Sequence, residues 1–310
     1  FARSKNGQLV TTHFSDGAWP QWSQVPGSPA ITGVPGAAAS NGQLAVAVRD
    51  ASTGYAEYLR QAGSGSWQAA VKIGSRQVTS SVALLQVGGL LEAYARLGDG
   101  QLGSATLANG AWSDWKALGG HLTSAPTASL DMNGNPHVFA VATFNKLIED
   151  VYTGGRWSGI RDLPGNNYDG QPAVGTNPDG RLELYIHTTG NIVVNVWQQP
   201  QDLNAWGGPQ ARMTGVISEP AVTNEGQNRL DVFALAVGGS VLHSLQNSPH
   251  AGTSWSAPAP IGATLTGAPA VLHLGGSAEL FVRTQVGTIA VSSDADQGTW
   301  SSPIPISGSF

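Results

Sequence analysis

The sequence predicts an all-β protein: a seven-bladed β-propeller with four short antiparallel strands in each blade. Three observations carry that expectation. Trp recurs at Trp19, Trp67, Trp112, Trp157, Trp206, Trp255 and Trp300, at spacings of 48, 45, 45, 49, 49 and 45 residues. A steady period of about 20–50 residues marks a repeat architecture and has to be settled before domains are counted. The text between the Trp residues also repeats in a constant order. Within it, apolar and polar residues alternate with period two over short runs punctuated by Gly, Asn, Asp and Pro, which is the signal of half-buried strands and turns.

Each repeat opens on a small-Pro-Ala segment. It stands as Ser28-Pro29-Ala30, Ala125-Pro126-Thr127-Ala128, Gln171-Pro172-Ala173, Glu219-Pro220-Ala221 and Ala268-Pro269-Ala270, with Ser80-Ser81-Val82-Ala83 in the same place once. A polar turn such as Asn177-Pro178-Asp179-Gly180 follows. A second strand is then expected over 43–49, 90–96, 136–141, 181–187, 229–235 and 278–283, and Phe1-Ala2-Arg3 matches its end. After a Gly-containing turn comes a third strand, as in 8–14, 191–198 and 240–246, and the Trp strand closes the unit. Residues 80–97 are rich in Leu and Ala and compete as a helix. Gly88-Gly89 in their middle favours strand–turn–strand. One four-stranded unit cannot bury both its faces, so the repeats are expected to stack into a single domain spanning 1–310. The repeats run approximately over 1–25 (partial), 26–73, 74–118, 119–163, 164–212, 213–261 and 262–310. The first strand of the 1–25 repeat is not in the text, which leaves six blades with an N-terminal remnant as the alternative.

Composition narrows the function classes. Gly is 41 of 310 residues, charged residues are 11%, hydrophobic residues 41%, and the net charge is −5. Low charge with this apolar content argues against disorder. Only 15 Lys and Arg are present and they do not cluster, so nucleic acid is not an expected partner. No apolar run is long enough for a membrane helix, and membrane insertion is not expected. The absence of Cys removes disulfides, thiolate catalysis and Cys-bound metals. No cofactor motif is present. The chain starts at Phe1 rather than Met and shows no signal peptide, which is read as a processed form or an excised piece.

The motifs Trp112-Ser113-Asp114-Trp115, Leu118-Gly119-Gly120, Ser124-Ala125-Pro126, residues 179–185 (Asp-Gly-Arg-Leu-Glu-Leu-Tyr) and Leu242-His243-Ser244-Leu245-Gln246 recur in this order. The pattern resembles the bacterial repeat of the Photorhabdus-type (PLL-like) seven-bladed propeller lectins, and the resemblance covers the whole chain. It implies carbohydrate binding in pockets between neighbouring blades, fucose-type or O-methylated sugars as ligands, glycoconjugate partners and a secreted or cell-surface location. The family pattern often places Arg at the end of the second strand. Here that position reads Arg3, Arg49, Arg96, Val141, His187, Leu235 and Arg283.

A sugar presents an apolar face of C–H groups and a rim of hydroxyls. Trp suits the face, and Arg or His suits the rim. The candidate ligand-binding residues are therefore Trp19, Trp67, Trp112, Trp115, Trp157, Trp206, Trp255 and Trp300 with Arg3, Arg49, Arg96, His187 and Arg283. Trp22 and Trp197 also stand outside the once-per-repeat rule. The competing reading of the periodic Trp residues is packing between blades, and for the Arg residues a blade edge or turn-bonding role.

Two weaker motifs read as turns: Asp294 to Trp300, a degenerate Asp box, and Asp131-Met132-Asn133-Gly134-Asn135, which lacks the closing Glu of a calcium loop. No nucleophile elbow, zinc-protease helix or phosphate loop is found, so no catalytic residue is expected. Glu149, Asp150 and Glu219 are the acids weighed for glycosidase chemistry. The leading expectation is a non-catalytic, multivalent lectin. An accessory or docking domain of a larger secreted enzyme and a glycan-acting propeller enzyme stand as alternatives, and oligomerisation is left open.

Overall fold

The expected strands form. The computed structural model describes residues 1–310 except 41, 64, 226–227, 250–253, 275 and 295–297. Seven antiparallel sheets follow one another along the chain, and no strand is shared between two of them. The first has three short strands, Ala2–Arg3, Leu9–Thr11 and Ser23–Gln24. The second comprises Ile31–Ser40, Gln43–Asp50, Tyr55–Arg60 and Val71–Gln77. The third comprises Ala83–Val87, Leu90–Arg96 and Leu102–Ala108, with an outer strand broken into Ala111–Trp112 and Lys116–Gly119. The fourth repeats that plan with Thr127–Leu130, Pro136–Ala142, Lys146–Thr153 and the pieces Arg156–Trp157 and Arg161–Asp162. The fifth comprises Tyr168–Thr176, Leu182–Thr188, Ile192–Gln199 and Asp202–Thr214. The sixth comprises Ala221–Glu225, Arg229–Leu235, Val241–Leu245 and Ala259–Ile261, and the seventh Leu265–Leu274, Ser277–Thr284, Ile289–Ser293 and Ile304–Ile306. This is the seven-bladed β-propeller class. Among the described residues, the first sheet has no counterpart of the strand that opens the other six.

The ambiguous stretch 80–97 is strand–turn–strand. Gly88 and Gly89 take φ of 53° and 86°, the geometry of a two-residue hairpin loop, which side chains with a Cβ rarely adopt.

Two recurrent sequence motifs turn out to be hydrogen-bonding devices. The outer strand departs from regular pairing after the Trp, which would orphan an N–H of the third strand. The Ser that follows Trp repairs this: Ser113, Ser158, Ser256 and Ser301 accept from the N–H of Thr106, Val151, Leu245 and Ser293 at 3.0, 3.1, 3.0 and 2.9 Å. At the other end of the unit, Ser80, Ser124 and Ser218 accept from the N–H of Arg96, Val141 and Leu235, each at 2.9 Å. These bonds fasten the incoming linker to the end of the second strand. Pro126 and Pro220 then stand immediately before the first strands, where the missing N–H costs no ladder bond. Ser218→Ala leaves the buried Leu235 N–H without its acceptor. An expected loss of about 1–3 kcal/mol is read from the midpoint of urea denaturation.

By internal contacts the chain divides into two compact units. The first is Phe1–Thr143, Ile148–Arg161 and Gly308–Phe310. Its core lies between successive sheets: Leu9, Val25, Ile31, Val46 and Leu59 join the first and second, Ala47, Ile73, Val82 and Leu91 the second and third, and Tyr94, Leu102, Val138 and Ile148 the third and fourth. The C-terminal residues belong here. The Lys5 N–H donates to Ser309 O at 3.1 Å, as Ala51 does to Ala30 O and Gly98 to Gln77 O, and Phe310 packs on Trp22 at 5.1 Å. The second unit is Phe144–Leu147 and Asp162–Ser307. Tyr185, Met213, Leu230 and Val232 join its fifth and sixth sheets, and Phe233, Ile261, Leu265 and Leu280 its sixth and seventh. Central strands are buried on both faces, Pro136–Ala142 along its whole length. That two-sided burial accounts for the low share of charged residues in the composition.

Candidate binding pocket

The periodic Trp residues are half-buried, and five of them meet a ring of the preceding sheet edge-to-face. The pairs are Trp67–Phe1, Trp112–Tyr58, Trp157–Tyr94, Trp255–Tyr185 and Trp300–Phe233, with centroids 5.5, 5.3, 5.9, 5.8 and 5.2 Å apart. Phe1, Tyr94, Tyr185 and Phe233 stand two residues before Arg3, Arg96, His187 and Leu235, on one face of the second strand. The second sheet has Ala47 at that place, and Tyr58, its direct cross-strand partner, supplies the ring instead. The Trp period is therefore a packing period between sheets. Trp19 lies 5.5 Å from Phe14, and Trp206 pairs with Gln198 on the outer strand of the fifth sheet. Trp115 is only 5% exposed, and its indole N–H donates to Ile73 O at 2.8 Å. It is a core residue with no free face. Trp197 is half-buried opposite Glu183.

The basic candidates act on backbone carbonyls. Arg49 donates to Val78 O at 2.6 Å, Arg96 to Thr79 O and Thr123 O at 3.1 Å each, and His187 Nε2 lies 3.2 Å from Val216 O. All three grip the linker that leads toward the following sheet. Arg3 and Arg283 are exposed at the same strand position.

A second set of polar residues runs across the strands; Asp131, Glu149 and His243 stand out singly in the sequence, not as members of one set. The end of the first strand or the turn after it, the second strand and the third strand contribute Asp131, His137 and Glu149 in the fourth sheet, Asn177, Glu183 and Asn195 in the fifth, and Glu225, Asp231 and His243 in the sixth. All nine are buried. His137 Nδ1 lies 2.6 Å from Glu149 Oε1, and Arg161 Nε donates to Glu149 Oε2 at 2.6 Å. Glu183 accepts from Asn195 at 2.5 Å and Asn177 at 3.2 Å. The only signal in the text is a spacing of six and then twelve residues, which strand alternation also produces for ordinary core positions.

Of the acids weighed for catalysis, Glu149 is committed to His137 and Arg161. Asp150 accepts from Ser158 at 3.0 Å and Gly159 at 2.9 Å, and Glu219 from the Gln171 N–H at 2.7 Å. Asp131 closes a plain turn: burial would raise its pKa, but hydrogen bonds from Asn135 and Asn133 hold it below the usual range. Asp294 accepts from Gly298 and Thr299 in the Asp-box-like turn, and residues 295–297 of that motif lie outside the described residues.

The sixth and seventh sheets border an open cavity of about 390 Å³, lined among others by His243, Pro260, Gly262, Thr299, Trp300 and Ser301. That size suits a small ligand. Trp300 forms an aromatic wall, 6.1 Å from the His243 ring. His243 stacks on Phe233 at 5.9 Å, and its Nδ1 meets Asp231 Oδ2 at 2.9 Å. The contact with the Asp231 carboxylate orients the imidazole ring. A smaller cavity of about 340 Å³ lies on the fifth sheet, among Asn166, Asn167, Tyr168, Thr188 and Pro209.

Behind His243, burial and then the neighbouring Asp231 charge raise the Glu225 pKa to about 9. Burial also raises Asp231, against the hydrogen bond and charge of His243. The folded chain thus keeps a Glu225 proton that the unfolded chain releases above about pH 4.5. Stability from this pair is complete below that pH and declines as pH rises toward 9. Glu225→Gln is expected to flatten the fall in Tm between about pH 5 and pH 9. Parallel slopes for both proteins in calorimetric scans would count against the assignment.

No protein-family model and no curated protein sequence matches the chain. Solved structures do. AofleA from Arthrobotrys oligospora matches with a TM-score of 0.59 at 18% identity, over 100% of this chain and 96% of its own. The SapL1 lectin in complex with alpha methyl fucoside matches with a TM-score of 0.57 at 14% identity, over 90% and 97%. A fucose-specific lectin from Aleuria aurantia matches with a TM-score of 0.57 at 18% identity, over 88% and 95%. The likeness is one of fold. Another structure of the Aleuria lectin is described as a six-bladed β-propeller, one sheet fewer than are present here.

Proposed function

We propose that this protein is a non-catalytic carbohydrate-binding protein that holds neutral sugars, fucose-type or O-methylated, between successive sheets. The observation that carries the reading is the cavity of the sixth and seventh sheets. It sets an indole wall beside an oriented imidazole, with Thr299 and Ser301 at the rim, the pairing of an apolar face with polar groups that an amphipathic sugar ring requires. The likeness in fold to lectins crystallised with fucosides supports it. The repeated Trp-Ser and Ser-x-Pro motifs support kinship with the Photorhabdus-type propeller lectins, a glycoconjugate partner and a secreted or cell-surface setting. One site of about 1 mM affinity corresponds to roughly −4 kcal/mol. Several sites acting on one glycosylated surface raise avidity by roughly 10²–10⁴, so repetition compensates for weak single sites. Isothermal titration with methyl α-L-fucoside and a glycan array test the proposal. Saturable binding of a fucoside is the expected result, and no binding of any sugar at millimolar concentration overturns it.

A further inference from the structure

The third strand and the outer strand of each sheet face each other at a position that changes character along the chain. Tyr58 pairs with Val71, Ser104 with Lys116, His243 with Ala259 and Val291 with Ile304. In the fourth sheet Arg161 reaches across to Glu149. In the fifth, Asn195 pairs with Gln210, and an irregularity between Val193 and Val194 leaves Arg212 unpaired between Ala211 and Met213, so that its side chain reaches Asn195 from two residues away. Its Nε donates to Asn195 Oδ1 at 2.9 Å and its Nη2 to Gln210 Oε1 at 2.6 Å. The guanidinium carbon lies 5.0 Å from the ring centre of Trp255. A long side chain thus covers the third-strand polar residue in the fifth sheet and stacks on the Trp of the next. In the sixth sheet the facing residue is Ala259, which lines the open cavity beside His243 and Trp300.

We propose that the outer-strand side chain lying over this third-strand residue decides which junctions between sheets admit a sugar. Ala259 leaves the Trp300 face open. Arg212 occupies the corresponding space on Trp255 and closes that junction. The physical ground is competition for one surface. A guanidinium on an indole face is held by cation–π attraction, and Arg212 is further held by Asn195 and Gln210. A neutral sugar would have to displace all three contacts. At Ala259 there is nothing to displace. The proposal rests on the sugar-binding reading of the Trp300 cavity and adds that the repeats are unequal, with activity set by a residue outside the periodic Trp and Arg positions.

The test compares the 310-residue chain with Ala259→Arg and Arg212→Ala, using methyl α-L-fucoside titration and acrylamide quenching of Trp fluorescence without ligand. Ala259→Arg is expected to lower the binding stoichiometry by one site and to reduce quenching. Arg212→Ala is expected to add a site and to increase quenching, and both gains disappear when Trp255 is also changed to Phe. Being a truncation, Arg212→Ala keeps the test intact if the larger side chain destabilises the sixth sheet. Unchanged stoichiometry in both variants, with the parent protein binding fucoside, overturns this inference alone. If the parent binds no sugar, the functional reading fails, while quenching still decides whether Arg212 covers Trp255: equal quenching in all three proteins overturns the occlusion.

Discussion

Trp300→Ala is expected to weaken fucoside binding at the junction of the sixth and seventh sheets by at least about 30-fold. That fold-change is the roughly 2 kcal/mol lost when a central aromatic anchor is truncated. Among the described residues that line the cavity, Trp300 is the one Trp, Tyr or Phe side chain, so its removal takes away the broad apolar surface against which the C–H face of a sugar would lie. The same side chain packs on Phe233 at 5.2 Å, so truncation also lowers stability. Trp300→Phe separates the two effects, keeping an aromatic contact with Phe233 while shrinking the wall. An intermediate affinity with near-native Tm is expected for it. Titration calorimetry paired with thermal scans checks both, and native affinity in a folded Trp300→Ala protein would remove this residue from the site.

Trp115→Ala is expected to have the largest effect on stability, about 3–5 kcal/mol, the range for truncating a buried aromatic. The residue sits in the core between the second and third sheets with Ile73, Val78 and Leu91, and its N–H satisfies the Ile73 carbonyl. Truncation opens a cavity and leaves that buried carbonyl without its donor. Whole-protein stability is commonly only about 5–15 kcal/mol, so Tm is expected to fall by on the order of 10 °C. Fucoside affinity below the transition is expected to be unchanged, because Trp115 lies in a different unit from the Trp300 cavity. A change in midpoint equivalent to less than about 1 kcal/mol would contradict the packing role.

The contrast between these two Trp residues shows how far residue type carries an argument. Trp112-Ser113-Asp114-Trp115 reads as one motif, yet Trp112 is half-buried against Tyr58 while Trp115 is sealed in the core. Ser113 matters for a reason invisible in the text, namely the Thr106 N–H left by an irregular outer strand. Arg49, Arg96 and His187 were attractive as hydroxyl-binding groups because of their chemistry. Their observed partners are linker carbonyls, which satisfy the same donors.

Counting Trp, turns and alternating runs along the chain was sufficient to reach seven strand-built modules. That works because each sheet pairs only strands that are neighbours in sequence, so every repeat writes its own hydrogen-bonding pattern locally. The sugar-sized cavity was beyond such counting. It arises where Ala259 and His243, on two strands of the sixth sheet, meet Trp300 from the connection before the last strand of the seventh, and where Arg212 at the preceding junction fills the same kind of space. Convergence of that sort depends on registers, irregular pairing and side-chain reach between modules, none of which leaves a periodic mark in the linear order.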